Sequence, residues 1–334
     1  MKRHTNRQEG IVSFMVTLIM MLVISLIVIG FSQTARRTAR EALDAQLSSQ
    51  AFYAAESGVN MVASEIRGGT LDSKETCAPN DDYPVTSLST DDGVKVTCTL
   101  VNPTPDDIVV SASQTASTVV PIYSSSGASL TKLSFAWIPP TGLSGVFSGC
   151  SALGSFSPQA PNNCNFALLR VDLMKDVLPA GSTNDQKFTS LTNNMVTFYM
   201  QPQTSSTGTV SMSDFSNPKG RIVGARCDSD KCSVSITLSG SAQAARYHAR
   251  ISTMYRDTSR VTITGNDGAI TFSDAQVVID STGKAQDVLR RVQARYPLGV
   301  TTGDAPYSLQ SGSTVCKKFT VANGQVNSYS SSCP

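Results

Sequence analysis

The chain has little of what metal-dependent or nucleophilic catalysis needs. Of its 334 residues only two are histidines, His4 and His248, and only one is a tryptophan, Trp137. The sequence contains no HExxH, GxSxG or GxxxxGK[ST] pattern, which are the spacings of zinc proteases, α/β-hydrolases and P-loop proteins. Charged residues make up 16% of the chain, and the formal net charge is +2. The composition therefore favours neither an enzyme nor binding of polyanions by bulk charge.

An apolar segment lies close to the N-terminus. Between Gly10 and Ala35 no side chain is ionisable, and residues 11–31 are almost wholly aliphatic, Met or Phe. At about 1.5 Å per residue, this segment spans roughly 30 Å of hydrocarbon. The apolar core of a secretory signal is shorter and precedes a small-residue cleavage site. A buried core helix, the other alternative, seldom has an apolar circumference on all sides. We expect a transmembrane helix over 11–31.

The positions of the cysteines predict the orientation of this helix. Three Lys or Arg residues precede the segment and three follow it closely, so the positive-inside rule does not decide. All eight cysteines lie after the segment, and an even number on one side is typical of an oxidising compartment. We expect the N-terminus to be cytoplasmic and the remainder to be external. Residues 1–10 hold three of the 27 bases and one of the 25 acids, so the rest is balanced at 24 of each.

The helical pattern continues well beyond the apolar segment. Small and apolar residues recur at spacings of three or four up to Ile66, and Gly68-Gly69 supplies a stop. A helix from Ile11 to Ile66 would be about 84 Å long, so its outer half must pack on another surface, which small side chains allow to approach closely. Glu56 lies within this pattern, where it is either buried and paired in an assembly or placed at the solvent edge. The expected packing residues are Met15, Leu47, Ala51, Ala54, Ala55, Glu56, Gly58 and Val62.

Residues 7–66 resemble the N-terminus of type IV pilins, and most of all the PilX-like minor pilins. A short basic leader ends at Gly10, an apolar helix starts at Ile11, and an amphipathic continuation contains AFYAAESGVN. A weaker resemblance links residues 275–298 to the C-terminal hairpin of PilX-like proteins. The resemblance implies that prepilin peptidase cleaves between Gly10 and Ile11, that Ile11 becomes the N-methylated terminus, and that the helix is retained as anchor and later as polymer core.

The same resemblance implies the partners of the chain, although the sequence departs from the family at one position. The partners are prepilin peptidase, other pilins, the inner-membrane pilus assembly platform and membrane lipid before assembly, with an external ligand that the sequence does not name and no cofactor. Most pilins carry glutamate at the fifth mature position, where this chain has Met15. The missing carboxylate argues against a repeating shaft subunit and for a subunit at the tip.

Most of the chain beyond the helix has the pattern of β-strands. β-branched or alternating runs are separated by Gly, Pro, Asn and Asp. Residues 285–296 also fit a helix, but we favour a strand and interpret STGK at 281–284 as the turn before it. The other predicted strands are 93–101, 107–113, 130–138, 166–174, 195–201, 221–227, 232–239, 247–255, 260–264 and 275–280.

The cysteines fall into four neighbouring couples. Spacing alone leaves 105 connectivities open, and sequential pairing is the simplest because each couple closes a local loop. A zinc site is the alternative only at CDSDKC, where Asp228 and Asp230 lie between two thiols. The couples are Cys77 with Cys98, Cys150 with Cys164, Cys227 with Cys232, and Cys316 with Cys333.

Other polar groups are weaker candidates for a site. The carboxylate pairs at 81–82, 91–92 and 106–107 lie in polar turns, where calcium ligation is an alternative to simple solvation. The basic pairs at 290–291 and 317–318 could contact DNA or a cell surface, although strand charges usually face water. His248 lies within a predicted strand and is expected to be structural.

We therefore predict an α+β protein in which a long N-terminal helix, transmembrane and then amphipathic, packs on a largely antiparallel, disulfide-pinned β head. Its segments are a leader at 1–10, the helix at 11–67, a first β segment at 70–123 and a main head at 130–334, with 124–129 as a boundary. The predicted function is that of a minor pilin. The alternatives are a pseudopilin of a secretion or DNA-uptake system, a permanently anchored single-pass surface binding protein and, last, an anchored enzyme.

The cysteine pattern makes a direct prediction. We expect all eight thiols of the exported protein to be oxidised in sequential couples, because all of them follow the apolar segment. Peptide mapping under non-reducing conditions would identify the four linked peptides. Free Cys227 and Cys232 with stoichiometric zinc would contradict the disulfide assignment.

Overall fold

The computed structural model describes residues 9–78, 83–84, 93–139, 166–176, 182–183, 186, 189–190, 193–203, 206–215, 220–228, 230–299, 301–304, 318–322 and 325–329. These residues contain a long helix, α1, over Glu9–Arg67, and short 3-10 turns at Gly240–Ala242 and Asn266–Gly268. The strands are β1 Tyr83–Pro84, β2 Val94–Asn102, β3 Asp107–Ala112, β4 Ser117–Ser124, β5 Lys132–Trp137, β6 Leu168–Lys175, β7 Met195–Gln203, β8 Thr209–Met212, β9 Gly220–Cys227, β10 Cys232–Leu238, β11 Arg246–Met254, β12 Thr258–Gly265, β13 Phe272–Ser273, β14 Gln276–Ala285, β15 Val288–Pro297, β16 Thr301–Asp304, β17 Lys318–Ala322 and β18 Gln325–Tyr329.

The chain divides into two compact units. Unit 1 comprises Met1–Val101 and Ile279–Ala294, and unit 2 comprises Asn102–Val278 and Arg295–Pro334. Unit 2 is thus largely an insertion into the sequence of unit 1. The predicted boundary at 124–129 joins β4 to β5, which belong to the same sheet of unit 2. The division into segments 70–123 and 130–334 remains a prediction.

Helix α1 has 59 residues and is therefore about 88 Å long. It ends at the predicted glycine pair because Gly69 takes a left-handed conformation, with φ of 90°, that favours glycine. The amide of Gly69 donates to the carbonyl of Ile66 at 3.0 Å, and the amide of Thr70 donates to that of Glu65 at 3.0 Å. These bonds satisfy carbonyls that the last helical turn would otherwise leave without a partner.

In unit 1, α1 is accompanied by a four-stranded sheet in the order β1-β2-β14-β15. The segment after the helix is attached to this sheet by two backbone bonds, at 2.9 and 2.8 Å, between Lys74 and Val101. A disulfide between Cys77 and Cys98 fixes the same segment to β2. The link closes a sequence separation of 21 residues, and the chain-entropy model assigns such a loop about 3 kcal/mol.

Unit 2 contains a sheet in the order β13-β4-β11-β6-β7-β9-β10-β5-β12-β3, with β16 also on β4 and β8 also on β10. Most neighbours are antiparallel, but β7 with β9 and β8 with β10 are parallel. The two ends of the sheet are joined, because the amide of Phe272 in β13 donates to the carbonyl of Pro105, just before β3, at 2.8 Å. Strands β17 and β18 form a separate antiparallel pair.

The side-chain amide of Gln276 covers the free edge of β3. Its Nε2 donates to the carbonyl of Val109 at 2.6 Å, and its Oε1 accepts from the amide of Val109 at 3.0 Å. These two bonds take the place of a neighbouring strand, so this edge cannot pair there with another chain.

A continuous apolar core fills unit 2. Its largest fully buried side chains include Trp137, Tyr247, Phe135, Phe198 and Phe272. The indole of Trp137 donates to the carbonyl of Ala167 at 2.8 Å, and the hydroxyl of Tyr247 donates to that of Ala242. Both buried polar atoms are therefore satisfied. Trp137 is thus a residue of the core.

The predicted strands have counterparts, but one turn was placed wrongly. STGK lies inside β14, and the turn of the hairpin is formed by Gln286 and Asp287, where Gln286 has a φ of 53°. The choice of a strand over a helix for 285–296 is confirmed by β15. Strand β4, which has Pro121 near its centre, was not predicted. Strands β16 and β13 pair with residues 117–119 and 123–124 of β4, so Pro121 falls in the gap between them.

Two of the four predicted disulfides lie in the described part of the chain. Cys77–Cys98 is in unit 1, and Cys227–Cys232 joins directly paired residues of β9 and β10. Cys150, Cys164, Cys316 and Cys333 lie outside the described residues.

Candidate functional site

The first half of α1 is an apolar surface that no other described residue covers. All the large apolar side chains from Phe14 to Phe31 are exposed, including Met15. Gly10 and Ile11 lie within the first turns of the helix. By its length and composition alone, α1 is able to cross a membrane, and it is the one helix among the described residues with that property. The apolar segment is thus a candidate membrane anchor or signal.

The second half of α1 packs on the sheet of its own unit. Six of the eight predicted packing residues, Leu47, Ala51, Ala54, Ala55, Gly58 and Val62, are buried, whereas Met15 is exposed. Leu47, Ala51 and Ala54 form one cluster with Val94 and Val96 of β2 and Ala285 of β14. Glu56 is exposed and so lies at the solvent edge in this chain. The small-residue face that the sequence offered to an unspecified surface is used inside the molecule.

Two glycines set the distance between α1 and the sheet. A Cβ atom on Gly283 would lie 2.1 Å from the carbonyl oxygen of Ala51 and 2.4 Å from the amide nitrogen of Ala55. A Cβ atom on Gly58 would lie 2.2 Å from the hydroxyl of Ser281. The backbones of α1 and β14 therefore approach each other where neither has a side chain, and any larger residue would force them apart.

A buried hydroxyl pair lies beneath Gly58. Thr99 of β2 and Ser281 of β14 are 3.3 Å apart through their side-chain oxygens, and both residues are buried. Each hydroxyl gains a partner and so avoids the cost of an unsatisfied polar group. These residues fix the register of two sheet strands directly under the helix.

The close approach of the helix to Gly283 gives a specific prediction. Replacing Gly283 by Ala should destabilise unit 1 by about 1–3 kcal/mol, because the added methyl group meets helix backbone that cannot move independently. Hydrogen exchange of the amides of residues 51–62 in full-length protein in detergent should become faster. Gly93→Ala is the matched control, since its Cβ would find only Gln286 at 3.9 Å. Unchanged protection in Gly283→Ala would show that the close approach does not exist in solution.

A compact polar cluster on unit 2 was not predicted from the sequence. The hydroxyl of Tyr123 lies 2.7 Å from Nε2 of His248, and the guanidinium of Arg246 lies 4.0 Å from the centre of the Tyr123 ring. Asp176 Oδ2 is 3.3 Å from Arg246 Nε and 3.9 Å from His248 Nε2. Register alone places these residues together, because Arg246 pairs with Tyr123 across β11 and β4 and His248 follows on the same face.

The cluster shifts the titration of its members. Burial raises the pKa of Tyr123 above its ordinary value. Burial, opposed in part by Asp176, lowers the pKa of His248 below 6.5. At neutral pH the imidazole is therefore uncharged and pairs with a neutral phenol, while Arg246 and Asp176 form the ion pair beside them. The four side chains therefore contact one another within the cluster.

The direction of the His248 shift predicts how stability depends on pH. Because the folded state resists protonation, the unfolded chain takes up the proton first as pH falls through about 6.5. The free energy of unfolding should therefore be highest above this pH and should fall between it and the lower pKa of folded His248. Denaturant unfolding of the full-length chain at several pH values would measure the slope, and His248→Gln should reduce it. An equal slope in the variant would assign the effect to other groups.

The remaining candidate residues are held in ordinary structural contacts. Asp107 forms an ion pair with Arg295 at 2.6 Å, which occupies the carboxylate proposed for calcium. Among the described residues, no group of three or more His, Cys, Asp or Glu side chains is placed to hold a metal ion. The carboxylates at 81–82 and 91–92 and the base Lys317 lie outside the described residues.

The comparisons with protein-family models, curated proteins and solved structures find nothing similar to this chain. Functional inference therefore depends on the geometry above and on the resemblance of residues 7–66.

Proposed function

We propose that this protein is a minor, PilX-like type IV pilin. Prepilin peptidase would remove residues 1–10, and the mature chain would enter or initiate a pilus through its N-terminal helix. The observation that carries the proposal is the division of α1, whose first half is apolar and exposed on all sides while its second half packs on unit 1 through small residues. The protein contributes assembly and surface presentation, and it is not an enzyme.

The length of α1 supports this function over a simple anchor. A membrane span needs about 20 residues, whereas α1 continues for roughly twice that number beyond such a span. In a pilin the apolar half first lies in lipid and then packs against the helices of other subunits, so its full exposure in an isolated chain is expected. The precursor would be oriented with its N-terminus in the cytoplasm, and the assembled protein would be on the cell surface.

The connectivity of the two units supports a division of labour. Unit 1 holds the helix and its sheet, and residues 102–278 of unit 2 are inserted between β2 and β14, which are neighbours in that sheet. An insertion at this point adds an external domain without interrupting the helix. Unit 1 would therefore serve anchoring and assembly with the assembly platform and other pilins, and unit 2 would be presented to an external ligand.

Met15 supports a position at or near the tip. In a core of packed helices, the N-terminal amine of each mature subunit is a charge in apolar surroundings, and leaving it unpaired costs several kcal/mol. In the family that the chain resembles, a glutamate of the next subunit neutralises this amine. Met15 cannot do so. A subunit that is loaded first has no neighbour above it and loses nothing.

One observation favours a second candidate function. The small-residue face of α1 is already covered by its own sheet, so this half of the helix needs no other subunit. That property also fits a permanently anchored surface binding protein whose leader stays uncut. A pseudopilin of a secretion or DNA-uptake system would share the processing of a pilin and differ in the machine it joins.

Processing separates these functions. Gly10→Val should block cleavage by prepilin peptidase, because a bulky residue replaces the only residue without a side chain at the leader boundary. The variant should be retained in the membrane at its full length and be absent from sheared filaments, whereas Gly30→Val, in an open position of the same helix, should mature normally. Mass spectrometry of the N-terminal peptide reports cleavage. Normal maturation of Gly10→Val, or a wild-type chain that begins at Met1, would favour the anchored protein.

A further inference from the structure

Among the described strands, none lies along the outer edge of β15. It is the last strand of the unit 1 sheet, and among the described residues no strand pairs with its outer side. Residues 288–294 contain no proline or glycine, and Leu289 is 58% exposed. The free edge of β3 in unit 2 is instead covered by Gln276. An uncovered edge of this length is a template for pairing with another extended segment.

The hairpin turn determines which backbone groups face outward. Residues that flank a two-residue turn pair with each other, and hydrogen-bonded pairs then alternate along the two strands. With Gln286 and Asp287 as the turn, Ala285 pairs with Val288. It follows that Leu289, Arg291 and Gln293 direct their amides and carbonyls away from β14.

The strand is held rigidly by its own side chains. Val288 packs against the cluster that contains Leu47 and Ala285. Arg290 donates from Nε to the hydroxyl of Ser48 at 2.8 Å, and Arg291 donates from Nε to Asp280 at 2.5 Å. An incoming segment would therefore order little of this surface, which lowers the cost of binding.

The charge on the strand selects the kind of partner. Residues 288–294 contain no acidic residue and carry Arg290 on the face toward α1. Arg291 lies on the opposite face, where both of its bonded nitrogens contact the carboxylate of Asp280 in β14, so Arg290 is the charge left for a partner. Arg290 is exposed, and within the described part of the chain its hydrogen bond goes to the neutral hydroxyl of Ser48, which leaves most of its donors open to a carboxylate. A second copy of β15 would bring arginines next to arginines, which disfavours self-pairing, whereas acidic side chains would be stabilised.

We propose that the outer edge of β15 binds an extended acidic segment of a partner protein as an added strand. Leu289, Arg291 and Gln293 supply backbone hydrogen bonds, and a carboxylate of the partner contacts the side chain of Arg290. This binding site does not depend on whether the chain is a pilin.

The probe is a fluorescent peptide, TVEEVTEEVT, whose neighbouring glutamates present a carboxylate to each face. Its binding to the full-length protein in detergent micelles is measured by fluorescence anisotropy, with empty micelles as background. Two control peptides separate the contribution of charge from that of backbone hydrogen bonding. The peptide TVQQVTQQVT lacks the charges. A form of the acidic peptide that is methylated on alternate backbone nitrogens lacks the strand hydrogen bonds. The proposal expects both controls to bind about tenfold more weakly or not at all.

Reversing the charge of Arg290 tests whether the peptide binds at the edge of β15. Arg290→Glu should weaken the acidic peptide about tenfold and should bind TVKKVTKKVT better than the wild-type protein does. Binding of the lysine peptide also shows that the variant is folded. Arg260→Glu, an exposed charge on β12 of unit 2, is the matched control and should change neither affinity.

Several results would overturn the proposal. Equal affinity for the acidic and glutamine peptides would exclude charge recognition, and equal affinity for the methylated form would exclude strand addition. An unchanged affinity in Arg290→Glu would place the site elsewhere. Oligothymidine that binds more tightly than the acidic peptide, and loses affinity in Arg290→Glu, would assign the strand to nucleic acid instead.

Discussion

The contact between α1 and β14 at Gly58 and Gly283 is the constraint on which unit 1 depends. Two backbones approach so closely there that a single methyl group on Gly283 would overlap with the carbonyl of Ala51. The alanines of the helix and the glycine of the strand have no other feature that explains their positions. Because this contact holds the outer half of the helix to its own sheet, the apolar half alone remains without a partner. A membrane, and in our proposal the other subunits of a filament, would cover this apolar half of the helix.

Much of this architecture could be predicted from the sequence, because it depends on local patterns. The extent of α1, its stop at Gly69 and its six buried packing residues followed from apolar periodicity and from two glycines. Two of the cysteine couples follow sequential pairing in the described residues. What the sequence could not indicate was the surface that the small-residue face meets, since a pattern of alanines specifies a close approach but not its partner.

The predictions failed where one residue type is compatible with two kinds of local structure. Gly283 was assigned to a turn because glycine is common in turns, but its role is to admit a helix against a strand. Strand β4 was missed, and its Pro121 is tolerated because the neighbouring ladder is interrupted at that residue. The cluster of Tyr123, Asp176, Arg246 and His248 had no linear signal, because it forms only when three separate strands are placed in register. The hydrogen bonds by which Gln276 covers the edge of β3 likewise join residues that are far apart in the sequence.

The central claim is that unit 1 assembles and unit 2 is presented. Immunogold labelling of intact cells and filaments with an antibody against unit 2 tests it most directly. A minor pilin that lacks the carboxylate at Met15 should give label at one end of each filament. Label that stays on the cell body, with none on filaments, would contradict assembly, and regular label along the shaft would contradict the tip position.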